Sequence, residues 1–144
     1  MTPFRLLLRV RYGECDAQQV VFNTRYGDYV DVAATEFYRA VFGSYQALLD
    51  QGLDSQVVRM VTDWRAPARF DDVLQLEVST LHLGNSSFSL QVDIRRHADQ
   101  AAIARSEVTY VMVDARTFSK RTIPDALRAQ LQHGAPGMLV NQAG

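Results

Sequence analysis

One carboxylate, Asp16, lies in a turn-like segment that leads directly into a helical pattern. The segment runs from Gly13 to Asn23, and helical spacing begins at Thr24. The first N–H groups of a helix have no partner within it, so they can bind an anion or stabilise a developing oxyanion. A carboxylate beside such donors can attack a thioester carbonyl or activate water for that attack. Spacing alone leaves open the alternative that Asp16 is an ordinary turn residue.

Other reactive side chains form no competing pattern. Cys15 is the only cysteine and has no histidine near it in sequence, which is typical of a small buried apolar residue. Glu14 could assist Asp16, but its position favours an exposed turn acid. No G-x-S-x-G motif of a serine hydrolase is present. The histidines are scattered without the spacing of metal ligands: His82, His97 and His133.

Composition limits the classes of function. The chain has 144 residues, 47% apolar and 22% charged, which fits one globular domain over 1–144. The formal net charge of -1 argues against a nucleic-acid binder. No apolar run reaches the ~20 residues of a membrane helix, and Met1–Val10 lacks the features of a signal peptide. A cytoplasmic protein without a metal or other cofactor is expected.

The elements that must position Asp16 begin with a strand and a long helix. Phe4–Tyr12 alternates as a strand, and a helix capped by Asn23 or Thr24 is expected to stop at Gly43. Ser44–Gln51 fits a short second helix. The apolar positions that recur at three- and four-residue steps are Tyr26, Tyr29, Val30, Ala33, Phe37 and Val41.

The rest of the chain is dominated by strand patterns. Turns are expected at Leu83–Ser86 and His97–Gln100, a short helix from Pro124 to Gln132, and a loose tail from Gly134. An antiparallel sheet with one face covered by the long helix follows, which is an α+β architecture. The predicted strands are Gln56–Trp64, Val73–Leu83, Phe88–Ile94 and Ala102–Val113.

The stretch Tyr12–Tyr26 resembles the signature of the 4-hydroxybenzoyl-CoA thioesterase family of hotdog proteins. The positions that fit are Tyr12, Asp16, Val20, Val21, Phe22 and Tyr26. Later blocks are similar in register from about residue 5 to 130: Val58–Met60, Trp64–Asp72, Leu83–Phe88 and Ile123–Pro124. The resemblance implies a hotdog fold, in which an antiparallel five-stranded sheet wraps one long helix. It also implies hydrolysis of acyl-CoA or aroyl-CoA by a homodimer or homotetramer.

By position, the resemblance makes Asp16 the catalytic carboxylate, either nucleophile or general base. It makes a backbone N–H near Asn23 the group that polarises the thioester carbonyl. Arg65 is a candidate for phosphate binding, although a surface arginine is usually only solvated. Ser87 is a further candidate with the alternative of a simple turn residue. The candidate substrate-binding residues are Phe22, Asn23, Tyr26, Arg65 and Ser87.

Three positions depart from the family pattern. Gln19 stands where the family has glycine, Asn23 where many members have histidine or tyrosine, and Asn85 where some have a basic residue. These departures leave open a non-catalytic acyl-CoA binder. An enoyl-thioester hydratase is less favoured, because such enzymes pair a histidine with an acid and none lies near Asp16 in the signature.

Overall fold

The computed structural model describes residues 2–144 as one mixed sheet with a long helix packed on one face. The strands are β1 (Phe4–Arg9), β2 (Leu53–Trp64), β3 (Val73–Leu83), β4 (Ser87–Arg96), β5 (Ala102–Asp114) and β6 (Leu139–Asn141). The helices are α1 (Arg25–Phe42), α2 (Tyr45–Leu49) and α3 (Asp125–His133). The six strands lie in the order β2-β5-β4-β3-β1-β6.

Helix α1 forms where the sequence predicts it and buries the expected face. Phe37 packs edge-on against Phe4 of β1, with ring centroids 5.7 Å apart. The Tyr38 ring packs against Phe88 of β4 and Tyr110 of β5, with ring centroids 6.3 and 5.9 Å apart. The helix therefore crosses most of the sheet and holds it to one core. Among residues 2–144, no helix is long and apolar enough to span a membrane.

The alternation in the long strands is confirmed. β3 pairs antiparallel with both β1 and β4, and β5 pairs antiparallel with both β4 and β2. Every second side chain of β3 and β4 is buried beneath α1, as expected for a sheet with one covered face. These core residues are Leu74, Leu76, Val78, Phe88, Leu90, Val92 and Ile94.

The expected five-stranded antiparallel sheet is corrected by a sixth, parallel strand. β6 pairs with β1, and the Gln142 N–H donates to the Leu7 carbonyl at 2.8 Å. The free edge of β1 offers unpaired backbone groups, which a short tail segment can satisfy. The tail is thus not uniformly loose from Gly134. A three-residue strand is too short to show a sequence period.

The first strand is shorter than predicted. β1 ends at Arg9, and Tyr12–Glu14 forms a 3-10 turn instead of continuing the strand. The Asp71 N–H donates to the Val10 carbonyl at 3.1 Å, and the Val10 N–H to the Asp72 carbonyl at 2.8 Å. These bonds to a loop replace the ladder to β3, so the chain can turn toward α1.

Between this turn and α1 the chain forms a small hairpin. Cys15 lies opposite Val21, and the Asp16 N–H donates to the Val20 carbonyl at 2.9 Å. Gln19 at the tip has φ = 65°, in the left-handed region. Glycine is the usual residue for such a position in a bulged hairpin. Gln19 therefore keeps the backbone turn that the family makes with glycine, at a cost in strain.

We expect Gln19→Gly to stabilise the protein by up to about 1 kcal/mol. A left-handed conformation costs a residue with a side chain ~1–2 kcal/mol, and glycine removes this cost. The greater freedom of glycine in the unfolded chain offsets ~0.5–1 kcal/mol of that gain. Gln18→Gly is the matched control, because Gln18 has no positive φ to relieve. In urea unfolding, the free energy of unfolding should be higher for Gln19→Gly than for wild type and lower for Gln18→Gly. Equal destabilisation of both variants would contradict the strain.

Candidate active site

Asp16 lies at the tip of the hairpin with one carboxylate oxygen engaged and the other free. The Gln18 N–H donates to Asp16 Oδ1 at 2.8 Å, and the Gln19 N–H donates to the Asp16 carbonyl at 2.9 Å. No residue among 2–144 donates a hydrogen bond to Oδ2. The turn contacts orient the carboxylate and leave one oxygen for chemistry. It lines a cleft of ≈ 480 Å³, the Asp16 cleft, together with Tyr12, Cys15, Gln19 and Phe70.

The start of α1 presents two backbone donors without acceptors. The Arg25 N–H donates to the Phe22 carbonyl at 2.9 Å, which makes a turn ahead of the helix. The N–H groups of Asn23 and Thr24 lie inside this turn and have no acceptor among residues 2–144. Neither side chain caps the helix, so the expected capping role is wrong. The turn itself replaces a cap, because it bonds the first helical N–H.

The hairpin sets the separation of these two features. Because Cys15 lies opposite Val21, Asp16 is one step toward the tip and Asn23 is two steps toward the base. Asn23 itself lies in the turn that the Arg25 N–H closes with the Phe22 carbonyl, so the carboxylate and the donors stand on opposite sides of the Cys15–Val21 pair.

An apolar groove continues from Asn23 between α1 and β2. Tyr26 is buried, and its ring meets Trp64 edge-on with centroids 5.7 Å apart. Gly27 faces Met60, whose Sδ would lie 4.0 Å from a Cβ at that position. The groove of ≈ 350 Å³ is lined by Asn23, Thr24, Tyr26, Gly27, Met60, Thr62 and Trp64. Such a surface suits an acyl chain or ring better than a charged group.

Glu14 is buried, which corrects the expectation of an exposed turn acid. Its Oε1 accepts hydrogen bonds from the Arg11 N–H at 2.7 Å and the Tyr29 hydroxyl at 2.9 Å. Its Oε2 accepts from the Arg11 guanidinium at 2.8 Å. Burial alone would raise the pKa of Glu14, but these hydrogen bonds hold it below its usual value. Burial and the Glu14 carboxylate raise the pKa of Tyr29, so its hydroxyl stays protonated and donates.

Cys15 borders the Asp16 cleft but is a poor nucleophile. Burial, followed by the charges of Glu14, Asp16 and Asp72, raises the pKa of its thiol. Since the thiolate is the reactive form, the raised pKa disfavours Cys15 as a nucleophile.

The structure brings some predicted binding residues together and separates one. Asn23, Tyr26 and Arg65 line a shared cleft of ≈ 310 Å³ beside the groove. Phe22 is 46% exposed, next to the donor pair. Ser87 lies at the other end of the sheet from Trp64.

The strand register gives the size of this separation. Val111 of β5 pairs with Ser87 and with Gln56, whereas Ala104 pairs with Trp64. The seven steps from Ala104 to Val111 span about 23 Å. Within one chain, Ser87 is therefore remote from Asn23 and the groove.

Sequence reasoning missed Trp64, Gly27 and Met60 as groove residues. Trp64 is the only tryptophan, ends a predicted strand and is the first residue of the family-like block Trp64–Asp72, which was an available signal. Gly27 carried no such signal, since a glycine inside a helical pattern is recognisable as a close approach only when its neighbour is known.

Comparison with known proteins identifies the family and the fold of this chain. The model of the thioesterase-like superfamily matches residues 10–131. The acyl-CoA thioester hydrolase YbgC of Escherichia coli O157:H7 is 30% identical over 131 residues, which cover 91% of this chain and 97% of that protein.

Solved structures share the fold. A hypothetical protein from Aquifex aeolicus superposes with a TM-score of 0.82 at 25% identity, covering 90% of this chain and 99% of that chain. A 1,4-dihydroxy-2-naphthoyl-CoA thioesterase from Synechocystis gives a TM-score of 0.79 at 18% identity, covering 89% and 94%. The resemblance read from the motifs and the α+β hotdog fold are both confirmed, with the sixth strand as the difference. This chain belongs to the thioesterase-like superfamily.

Proposed function

We propose that this protein hydrolyses acyl-CoA or aroyl-CoA thioesters to a free acid and CoA. The observation that carries the proposal is the pairing of a half-free carboxylate at Asp16 with unbonded N–H groups at Asn23 and Thr24. A developing oxyanion needs such donors, and the acyl carbon needs a nucleophile or an activated water. The relatives' names support the thioester class, since one acts on acyl-CoA and another on an aroyl-CoA.

In the proposed reaction the thioester carbonyl oxygen accepts hydrogen bonds from the N–H groups at Asn23 and Thr24. The free oxygen of Asp16 then removes a proton from water, whose oxygen bonds to the acyl carbon. The C–S bond breaks, and the leaving sulfur takes the proton as free CoA. If Asp16 attacks directly, its oxygen bonds to the acyl carbon while the C–S bond breaks, which releases CoA as a thiolate and leaves a mixed anhydride. Water then hydrolyses the anhydride to the free acid and the Asp16 carboxylate, and a proton from that water converts the thiolate to free CoA.

The groove and cleft surfaces suggest where the substrate lies. The acyl group fits the groove beside Tyr26 and Trp64, and Arg65 at its rim is a candidate for a CoA phosphate. His82, His97 and His133 line neither the groove nor the Asp16 cleft, which counts against an enoyl-thioester hydratase. A cytoplasmic location, where CoA thioesters are made and used, stays a prediction.

Replacing Asp16 by Asn should lower kcat by about 10²–10⁴-fold, as expected for loss of a base or nucleophile. The Asn side-chain oxygen can still accept from the Gln18 N–H, so the turn is retained. Asp50→Asn is the matched control, because Asp50 is an exposed acid at the end of α2. Thiol release from a panel of aliphatic and aromatic acyl-CoAs gives the readout.

The control should keep wild-type turnover on every substrate. Wild-type rates in a folded Asp16→Asn protein would remove Asp16 from the mechanism. A wild-type protein that binds acyl-CoA but releases no thiol would instead be a non-catalytic binder.

The backbone donor can be tested at Asn23 by two substitutions. Asn23→Pro deletes the N–H without breaking any hydrogen bond within residues 2–144, and proline suits the second position of the turn that starts at Phe22. Loss of an oxyanion donor should lower kcat by about 10²–10³-fold. Asn23→Ala keeps the N–H and should cost only a few-fold.

The Asn23 side chain makes no capping hydrogen bond to α1. The free energy of unfolding of both variants should therefore lie within about 0.5 kcal/mol of the wild-type value. If Asn23→Ala loses as much turnover as Asn23→Pro, the side-chain amide is the donor and the backbone account is wrong.

The exposed edge of β2 supports a symmetric assembly. Among residues 2–144, only β5 pairs with this strand, and several apolar side chains of β2 face solvent. Antiparallel pairing of two β2 edges about a two-fold axis would set the Gln56 end of one strand beside the Trp64 end of the other. The partner's Ser87 end of the sheet would then approach this chain's groove. The exposed residues are Val57, Val58, Met60, Val61 and Trp64.

We expect a dimer or tetramer, not a 16.2 kDa monomer, by light scattering. Val57→Lys should shift the mass to that of the monomer, because a lysine on an edge strand opposes pairing. Leu139→Lys on the opposite edge is the matched control, since the two residues are 48% and 47% exposed. A monomeric wild type, or equal effects of both lysines, would contradict pairing through β2.

A further inference from the structure

Glu14 joins the two halves of the proposed site through separate atoms. Its backbone carbonyl accepts from the Phe22 N–H at 2.9 Å, next to the donor at Asn23. Its carboxylate accepts from the Tyr29 hydroxyl at 2.9 Å, one turn into α1. The next residue but one is Asp16.

We propose that Glu14 is a positioning residue that holds the Asp16 carboxylate in register with the donors at the start of α1. This inference rests on the proposed function for its effect on turnover. Its structural part, the ordering of the hairpin from Cys15 to Val21, does not depend on any activity.

Both carboxylate oxygens of Glu14 are occupied, so it has no free oxygen to act as a second base. Oε1 accepts from the Arg11 N–H and from Tyr29, while Oε2 accepts from two atoms of the Arg11 guanidinium, Nε and Nη2, at 3.1 and 2.8 Å. Glu14 is only 8% exposed and is not among the residues that line the Asp16 cleft. Its influence on the reaction must therefore pass through the backbone.

Of the two side chains that donate to the Glu14 carboxylate, Tyr29 gives the stronger constraint. The Arg11 side chain is 82% exposed, so water competes for its guanidinium. Tyr29 is 3% exposed, and among residues 2–144 its hydroxyl has only Glu14 as an acceptor. A buried donor with one acceptor fixes the position of that acceptor. Tyr29 thus ties the hairpin to the rigid helix.

Misplacement should affect turnover more than binding. A reacting group displaced by about 1 Å can cost on the order of 10²-fold in rate, because the near-attack geometry is lost. The groove residues Tyr26, Trp64 and Met60 lie on α1 and β2, and the Glu14 carboxylate bonds instead to Arg11 and Tyr29. Tyr26 packs edge-on against Tyr29, with ring centroids 5.8 Å apart, and the Tyr29→Phe substitution keeps that ring. Substrate binding in the groove, and therefore KM, should change little.

The test compares two tyrosine hydroxyls on the same helix. Tyr29→Phe removes the bond to Glu14, and Tyr38→Phe removes a bond of equal length, 2.9 Å, to Ser55. Both tyrosines are 3% exposed, so each variant loses one buried hydroxyl contact. Tyr38 packs among core aromatics far from the hairpin and is the matched control.

We expect Tyr29→Phe to lower kcat about 5- to 20-fold with KM within about twofold, and Tyr38→Phe to leave both within about twofold. Glu14→Gln should lower kcat further, because its amide N–H would face the Arg11 donors. In Glu14→Gln, adding Tyr29→Phe should cost little more, since the two residues act as one unit. Equal kcat for the two tyrosine variants, or independent effects of Glu14 and Tyr29, would overturn the proposal.

Amide hydrogen exchange separates this proposal from the proposed function. The N–H groups of Asp16 and Phe22 are hydrogen-bonded within the hairpin and at its base, to the carbonyls of Val20 and Glu14. Their exchange should accelerate at least tenfold in Tyr29→Phe and not in Tyr38→Phe, even if the wild type releases no thiol from any acyl-CoA. Unchanged exchange in Tyr29→Phe would overturn the positioning role whatever the activity.

Discussion

The hydrogen bond from the Phe22 N–H to the Glu14 carbonyl, at 2.9 Å, is the contact on which the site depends. It closes the base of the hairpin whose tip carries Asp16, and it fixes the residue that precedes the free N–H groups of the α1 start. The bond between the Asp16 N–H and the Val20 carbonyl holds the tip, but the Phe22–Glu14 bond is the one next to the donors. Helix α1 is in turn held by core contacts with β1, β4 and β5. The hairpin is fixed to the sheet through this helix, because Glu14 accepts a hydrogen bond from Tyr29 of α1.

The long elements could be predicted from sequence because their signals are local. The spacing of Tyr26, Val30 and Phe37 defines one buried helical face, and the alternation of β3 defines one buried sheet face. Asp16 was predicted as the catalytic carboxylate from its place before the helix and from the family resemblance, and its role stays a prediction. Strand β6 was missed because its pairing depends on the free edge of β1, which lies more than a hundred residues earlier.

The details of the site depend on contacts that no sequence period reveals. Glu14 was expected to be exposed, yet it is buried and accepts a hydrogen bond from the Tyr29 hydroxyl, fifteen residues later. Gln19 was noted as a departure from glycine, yet its backbone adopts the left-handed turn that glycine would make. Asn23 or Thr24 was expected to cap α1; Thr24 is at the N-cap position, but its side chain makes no capping hydrogen bond.

The most direct test of the account is the structure of the Asp16→Asn protein with an acyl-CoA bound. The account predicts that the thioester carbonyl oxygen lies about 2.7–3.1 Å from the backbone N–H of Asn23 or Thr24. The side chain at position 16 should face the acyl carbon, and the acyl group should lie in the groove beside Trp64. A thioester bound away from the start of α1, with its carbonyl contacting neither N–H, would contradict the central claim.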